Sequence, residues 1–297
     1  MKLPQTATLI EVGPRDGFQP ETQNIPTELK VKMISGLVEA GLKHIQVTSF
    51  VHPRMVPQMA DAEKVCSALP KKEDVEYSGL VLNVKGIDRA LAAGIKAVDV
   101  SISASDTHSR KNANMPLEDA RKNMTEMIRA AKSNGLTVRA GLMCVFGCNY
   151  EGEIPQERVL AMAEDVLALG VNMFGLADTT GRANPAQVER MLEKAAALVG
   201  DVPIALHFHD TRGMGLANVL TALSCGVTHF DVAFGGMGGC PFVPGATGNI
   251  PTEDTAYMLQ EMGVETGIDI KAVADLSKEM EQFLDKRLSG KMYTLVE

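Results

Sequence analysis

One pattern recurs along the chain: a segment with helical periodicity, then a glycine, then a short apolar run. It occurs five times, in LVEAGLKHIQVTSF, ALAAGIKAVDVSIS, AKSNGLTVRAGLMC, LALGVNMFGLAD and LSCGVTHFDVAF. We predict that the glycines of these segments end helices in the left-handed conformation; they are Gly41, Gly94, Gly135, Gly170 and Gly226. Helices that alternate with apolar strands are typical of a parallel sheet that helices cover.

The number of these units favours a closed barrel. Three further apolar runs, TLIEVGP, VEYSGLVL and VPIALHFHD, bring the expected strands to eight. Eight units predict an α/β fold of the (β/α)8 TIM-barrel type, with a short helix near residues 252–262 and a further helix at about 271–289. An open Rossmann-type sheet is the alternative, but GPRDGFQPE after the first strand lacks the glycine fingerprint of that fold.

Length and composition are consistent with one barrel. The chain has 297 residues and no linker-like segment, so we expect a single catalytic domain over 1–297, in which about 265–297 form a C-terminal helical extension. A net charge of −8 argues against broad nucleic-acid binding. The start of the chain resembles no signal or transit segment, and no apolar run approaches the ~20 residues that span a bilayer. We therefore expect a cytoplasmic protein without membrane contact.

Two histidines stand in the run LHFHD, where a buried strand should carry hydrocarbon side chains. Alternate residues of a strand share a face, so His207 and His209 point the same way. In a TIM barrel the active site lies at the C-terminal ends of the strands, and this run ends the seventh. We interpret the two imidazoles as metal ligands.

Oxygen donors are expected at the same rim. Asp16 follows the first strand, and Asn249 lies in the segment that follows the eighth. Two imidazoles with a carboxylate and an amide oxygen, and without a thiolate, suit Mg²⁺ or Mn²⁺ better than structural zinc. Catalytic zinc is the alternative, because open sites rich in histidine also hold it.

Other polar residues at this rim have two interpretations each. Arg15 either forms a structural ion pair with Asp16 or reaches the same site. Cys240, in the glycine-dense GGMGGCPF, is either a small apolar residue or a thiol that transfers a proton or acts as a nucleophile. Arg110 and Lys111 either belong to a solvated loop or meet substrate phosphates, and Arg139 in the fifth strand is a further candidate for substrate binding.

Several motifs together resemble the 3-hydroxy-3-methylglutaryl-CoA (HMG-CoA) lyase family, within the metal-dependent barrel lyases and Claisen-type synthases. They are EVGPRDGFQPE, VTSFVHPRMVPQM, FGCNYEG, HFHDTRG and GGMGGCPFVPGATGNIPTED. The resemblance extends from about residue 8 to about residue 265. The last motif is the most specific, and Arg-Asp-Gly in the first is typical of the lyases, whereas the synthases usually have Arg-Asp-Glu.

The resemblance implies an acyl-CoA substrate, cleaved by a retro-Claisen reaction to acetyl-CoA and a 3-keto acid, as in leucine degradation, where the keto acid is acetoacetate. It implies Mg²⁺ or Mn²⁺ as cofactor and allows a homo-oligomer, with a dimer as our expectation. Several residues match the family's functional positions: Asp16, His207, His209 and Asn249 as metal ligands, Arg15 and Cys240 as catalytic residues, and Asp178 and Glu253 as supporting acids.

The retro-Claisen reaction assigns roles to these residues. Arg15 stabilises charge on the thioester oxygen, Cys240 protonates the enolate carbon, and Asp16 or His207 accepts the hydroxyl proton. The family usually has glutamate at the position of Gln46, so a lyase for a different 3-hydroxyacyl-CoA is an alternative function. A condensing Claisen-type synthase and a binding protein without turnover are the others.

Overall fold

The computed structural model describes residues 3–239 and 246–296, and these form a closed barrel of eight parallel strands in sequence order, as predicted. The strands are β1 (Thr8–Glu11), β2 (His44–Ser49), β3 (Glu76–Val81), β4 (Ala97–Ser103), β5 (Thr137–Met143), β6 (Met173–Asp178), β7 (Ile204–Phe208) and β8 (His229–Val232). The chain therefore has the (β/α)8 architecture.

Helices follow the strands and cover the outside of the barrel. In the described residues they are α1 (Thr27–Glu39), α2 (Ala62–Ser67), α3 (Val84–Ala92), α4 (Asp106–Ala113), α5 (Leu117–Ser133), α6 (Gln156–Leu167), α7 (Pro185–Val199), α8 (Gly215–Ser224), α9 (Thr252–Glu261) and α10 (Ile270–Leu284). Two helices, α4 and α5, separate β4 from β5. In the part of the chain that the structure describes, no helix is both long enough and apolar enough to cross a bilayer.

Local sequence signals explain where the helices begin and end. The side chain of Asn83 accepts a hydrogen bond from the Gly86 amide at 2.9 Å at the start of α3, and Asp269 accepts one from Ala272 at 3.0 Å at the start of α10. All five predicted helix-ending glycines have positive φ, from 69° to 101°. At Gly41 a Cβ would also lie 2.3 Å from the carbonyl oxygen of Gly267, so no larger residue fits there.

The inside of the barrel divides into two regions. Ile10, Val12 and Ala205 form a small apolar cluster, against which Met173 packs. Beside this cluster lies an ionic group, in which Arg139 contacts Asp99 at 2.7 Å and Asp231 at 2.6 Å. The strand register shifts between Gln46 and Thr48, where β2 pairs with β3. This bulge changes which residues face inward after Gln46.

The C-terminal segment packs on the barrel. Helix α10 contacts α1 and α9, and the turn Met292–Thr294 returns to α10. Tyr293 is 1% exposed, and its hydroxyl donates to the Glu281 carboxylate. The Asp254 carboxylate accepts the backbone N–H groups of Lys291 at 3.0 Å and Met292 at 2.7 Å. The single-domain organisation over 1–297, with an extension at about 265–297, stays a prediction.

The Tyr293 side chain anchors this segment, so Tyr293→Ala should lower the free energy of unfolding by about 3 kcal/mol, the usual cost of truncating a buried aromatic residue. Thermal and urea unfolding followed by circular dichroism measure the change. Tyr257→Ala is the matched control, because Tyr257 is 42% exposed. Equal effects of the two substitutions would show that the C-terminal segment contributes nothing through Tyr293.

Candidate active site

A tight turn directly after β1 directs two charged side chains to one site. Residues Gly13–Gly17 form one π-helical turn, which the hydrogen bond from the Phe18 amide to the Gly13 carbonyl closes at 2.9 Å. Because the strand has ended, Arg15 and Asp16 do not point to opposite faces. The Arg15 guanidinium donates to the Asp16 carboxylate and, through Nε, to the side-chain oxygen of Gln46 in β2. Arg15 thus forms the ion pair with Asp16 and also reaches the same site, so the two interpretations do not exclude each other.

The segment 246–250 passes the end of β7. The Asp210 amide donates to Gly248 at 2.8 Å, the Ile250 amide donates to Phe208 at 3.2 Å, and His209 and Asn249 form a bridge pair. Gly248 packs so closely on Gly238 that a Cβ would lie 2.5 Å from a backbone carbon. This pairing places Asn249 beside His209.

Three predicted ligands converge at the mouth of the barrel. One ligand atom each of Asp16, His207 and His209 lie within 4.8 Å of one another. The Asn249 side-chain nitrogen donates to Asp16 at 2.8 Å and to the Met237 carbonyl at 3.0 Å. Its oxygen is buried and has no hydrogen-bond partner in 3–239 or 246–296. That oxygen is therefore free to bind a cation.

The protonation states of this cluster suit a divalent metal. Burial, together with the neighbouring His207, lowers the pKa of His209 to about 3, so its imidazole is neutral. Burial opposes ionisation of Asp16, but Arg15 and the two histidines outweigh it and hold the pKa at about 2. His209 Nδ1 is buried without a partner among the described residues. A neutral imidazole and a carboxylate are the forms that bind metal, so this set of donor groups fits Mg²⁺ or Mn²⁺.

His207 is oriented by a carboxylate inside the barrel. Its Nδ1 lies 3.1 Å from Asp231, so Nε2 is the nitrogen available to a metal. Arg139 donates to both oxygens of Asp231, at 2.6 and 2.7 Å. Burial alone would raise the pKa of Asp231, but the Arg139 charge and the His207 hydrogen bond hold it well below the usual range.

The guanidinium of Arg139 is engaged by Asp99 and Asp231 inside the barrel, so it positions Asp231. The expectation that Arg139 binds substrate stays a prediction. Arg110 and Lys111 are on α4 at the rim of the barrel mouth. Arg110 pairs with Asp106 at 2.7 Å, and the Lys111 ammonium lies 4.8 Å from the centre of the Tyr150 ring. A role of these two residues in substrate binding stays a prediction.

The predicted supporting acids accept hydrogen bonds from the backbone of loops. Asp178 ends β6 and accepts the amides of Arg182 at 2.8 Å and Ala183 at 3.0 Å; burial raises its pKa to about 6. Glu253 accepts the Gly235 amide at 2.9 Å and the Ser277 hydroxyl, and burial raises its pKa to about 7. Glu253 thus holds the turn that follows β8.

Glu11 is a supporting acid that the sequence analysis missed. It is fully buried and accepts the amides of Gly13 at 2.7 Å and Phe234 at 3.2 Å and the Thr252 hydroxyl at 2.6 Å. Burial raises its pKa to about 8. It therefore joins the turn that carries Arg15 and Asp16 to the turn after β8.

Glu11, Asp99 and Asp231 share one sequence signal, which could have found them. Each is an acidic residue inside an apolar strand, as His207 is a basic one. Cys240, the predicted proton donor, lies outside the described residues.

Comparison with known proteins identifies the family of this site. The profile of the HMGL-like family matches residues 6–280. The chain belongs to the HMGL-like family. It is 43% identical over 291 residues to the hydroxymethylglutaryl-CoA lyase YngG of Bacillus subtilis (strain 168). The alignment covers 98% of this chain and 97% of that protein. This confirms the resemblance on which the sequence analysis relied.

Solved structures of HMG-CoA lyases have the same fold. The Bacillus subtilis enzyme superposes with a TM-score of 0.96 at 42% identity and covers 99% of each chain. An HMG-CoA lyase from Acinetobacter baumannii, solved in complex with coenzyme A and 3-methylmalate, has a TM-score of 0.93 at 38% identity and covers 98% of this chain and 95% of its own. The HMGL-like barrel is thus shared along nearly the whole chain.

The Asp231–His207 contact predicts an effect on metal affinity. Asp231→Asn removes the carboxylate that orients His207. It should weaken Mn²⁺ binding by about 10–100-fold, the usual effect of losing a residue that orients a metal ligand. Isothermal titration with Mn²⁺ measures the affinity, and circular dichroism checks the fold. Asp74→Asn, which removes a carboxylate from an exposed pair with Lys43, is the control. Unchanged Mn²⁺ affinity in Asp231→Asn would contradict the assignment.

The raised pKa of Glu11 predicts a pH dependence of stability. Its pKa is about 8 when folded, against 4.5 ordinarily, so the folded chain binds more protons than the unfolded chain between these values. The free energy of unfolding should therefore fall as pH rises through that range. Glu11→Gln keeps the acceptor for both amides and should reduce this slope, leaving the parts due to other buried groups such as Glu253 and Asp178.

Urea unfolding at pH 5, 7 and 9 measures the slope of stability against pH. Glu261→Gln, on the exposed side of α9, is the matched control and should leave the slope unchanged. A slope that is the same in Glu11→Gln and in the original chain would show that Glu11 is ionised throughout.

Proposed function

We propose that this protein is a metal-dependent carbon–carbon lyase that cleaves a 3-hydroxy-3-methylglutaryl-CoA-like thioester to acetyl-CoA and a 3-keto acid, acetoacetate for HMG-CoA itself. The observation that carries the proposal is the cluster of Asp16, His207 and His209 with Arg15 directly beside it. The family and the lyase relatives favour cleavage over condensation. Bound coenzyme A in the similar Acinetobacter baumannii lyase supports an acyl-CoA substrate.

A divalent metal, Mg²⁺ or Mn²⁺, would be held by Asp16, His207, His209 and the Asn249 oxygen. When bound, it would orient the substrate's hydroxyl and carboxylate and lower the pKa of that hydroxyl. Arg15 uses two of its five N–H groups on Gln46 and Asp16, so others remain for the substrate. These N–H groups stabilise the negative charge that develops on the thioester oxygen.

Two protons move in this reaction. Asp16 or His207 accepts the proton of the tertiary hydroxyl, the bond between C2 and C3 breaks, and its electron pair passes to the thioester enolate. Cys240, outside the described residues, is proposed to protonate the enolate carbon. Glu11 and Glu253 hold the two turns that flank these groups, so they position the reacting residues without contacting substrate.

A second candidate function is cleavage of a different 3-hydroxyacyl-CoA. Gln46 is 1% exposed and accepts the Arg15 Nε hydrogen bond, where glutamate would instead form a buried ion pair with Arg15. The neutral amide leaves Arg15 with a stronger net positive charge toward the substrate. Position 46 therefore acts on the residue that meets the thioester.

The coenzyme A portion is proposed to leave the barrel past α4. Arg110 and Lys111 are exposed there, and Tyr150 is 42% exposed, so charged and aromatic groups face the same rim. Two cations there would bind the phosphates of coenzyme A. The cytoplasmic location and the homodimer stay predictions.

The test of the proposed function is a panel of 3-hydroxyacyl-CoA thioesters with Mg²⁺ or Mn²⁺, scored for acetyl-CoA release. If none releases acetyl-CoA, the proposal is wrong. The same panel tests Gln46→Glu, which should raise kcat/KM on HMG-CoA if a missing carboxylate slows a standard lyase.

If Gln46 is instead tuned to another substrate, the added charge should lower kcat/KM on that substrate. Gln260→Glu adds the same charge on the exposed side of α9 and is the control. If Gln46→Glu has the same kcat/KM as the original chain on both substrates, position 46 does not contribute to catalysis.

A further inference from the structure

Two glycines face each other inside the barrel, next to the candidate active site. Gly141 of β5 pairs in register with Gly175 of β6. Arg139, two residues before Gly141, points inward to Asp231, so Gly141 also points inward. Met173, two residues before Gly175, packs against the apolar cluster inside the barrel, so Gly175 points inward too. The wall of the barrel has no side chains at these two positions.

Burial shows that this wall is open. In β5 and β6 every residue that faces the helices is buried. The residues that face inward are partly exposed; they are Thr137, Arg139, Gly141 and Met143 in β5 and Met173, Gly175 and Ala177 in β6. Inward-facing residues of a TIM barrel normally fill its centre. In β1 and β8 the inward residues Ile10 and Asp231 are buried. Open space therefore lies on the β5–β6 side.

This space adjoins the ligand cluster. Ala177, on the same face as Gly175, pairs in register with His207. Two buried atoms of the cluster, His209 Nδ1 and Asn249 Oδ1, have no hydrogen-bond partner among the described residues. Both belong to the β7 and β8 side of the barrel. A substrate held there has the metal ligands on one side and the Gly141–Gly175 wall on the other.

We propose that Gly141 and Gly175 determine acyl specificity by admitting a C3 substituent larger than methyl on the 3-hydroxyglutaryl-CoA thioester. This inference rests on the proposed function. Beyond Arg139, which is paired with Asp99 and Asp231, the wall is uncharged. Besides the glycines it contains Ala177, Met143 and the Ser101 hydroxyl, which lies 3.4 Å from a Cβ built on Gly141. The substituent is therefore an uncharged alkyl group, and the keto acid that cleavage releases carries it.

The test compares two substrates in the purified, metal-loaded protein: HMG-CoA and the analogue with n-propyl in place of the C3 methyl. The original chain should have the higher kcat/KM on the propyl thioester. Gly141→Ala should lower the propyl-to-methyl ratio of kcat/KM about tenfold, the usual effect of one methyl group in an apolar subsite. A Cβ there comes within 3.3 Å of Gly175, so the substitution narrows the space with little displacement.

Two further variants separate specificity from folding. Gly86 lies in α3, and a Cβ there would lie 3.3 Å from the Phe50 carbonyl oxygen, the same close contact. Gly86→Ala should therefore leave the ratio unchanged. Gly175→Ala narrows the same space from β6 and should repeat the effect if Gly141→Ala folds poorly. Isothermal titration with 3-propylglutaryl-CoA, which lacks the hydroxyl and is not cleaved, should show a matching loss of affinity in the wall variants.

The possible failures are distinguishable. The inference is overturned if the protein prefers HMG-CoA to the propyl thioester and if Gly141→Ala and Gly175→Ala leave the propyl-to-methyl ratio of kcat/KM unchanged. The proposed function would then remain in place. If neither thioester releases acetyl-CoA, the proposed function is overturned and the inference falls with it.

Discussion

The Asp231 carboxylate links the inside of the barrel to the site at its mouth. A buried carboxylate is costly unless its oxygens are paired, and both oxygens of Asp231 accept from Arg139, while one also meets His207 Nδ1. Arg139 in turn reaches Asp99, so one cation from β5 pairs with carboxylates from β4 and β8 within the barrel. Moving any one of these groups leaves a buried charge unpaired. The imidazole of His207 is therefore fixed by the packing of the barrel itself.

The loops of the site depend on two more buried carboxylates. Glu11 accepts backbone N–H groups from the turns after β1 and β8, and Glu253 accepts the next amide of the latter turn. Burial raises the pKa of both carboxyls, and the neighbouring Glu253 raises that of Glu11 further. Their hydrogen bonds hold the position of Arg15 and Asp16 relative to the turn after β8. Short strands would otherwise leave these turns free to move.

The sequence was sufficient for features that local pattern determines. The helix–glycine–strand repeat predicted the barrel, and the positive φ of Gly94 and Gly226 follows from it. The face shared by His207 and His209 follows from strand periodicity. The contact between Arg139 and Asp231 was not predicted, because the two residues are 92 residues apart in the chain. Such contacts depend on strand register and tilt, which no local pattern encodes.

Side-chain positions therefore separate into two groups with different constraints. Arg15 is tied to Gln46 on β2, His207 to Asp231 on β8 and Asp16 to the buried Asn249, so their chemistry tolerates little change. The inward face of β5 and β6 makes no such network beyond Arg139, and its glycines contact mainly each other and Ser101. A substitution on that face alters the volume next to the substrate without unpairing a charge. The barrel can therefore keep one reaction on its charged side while the neutral side sets which acyl group enters.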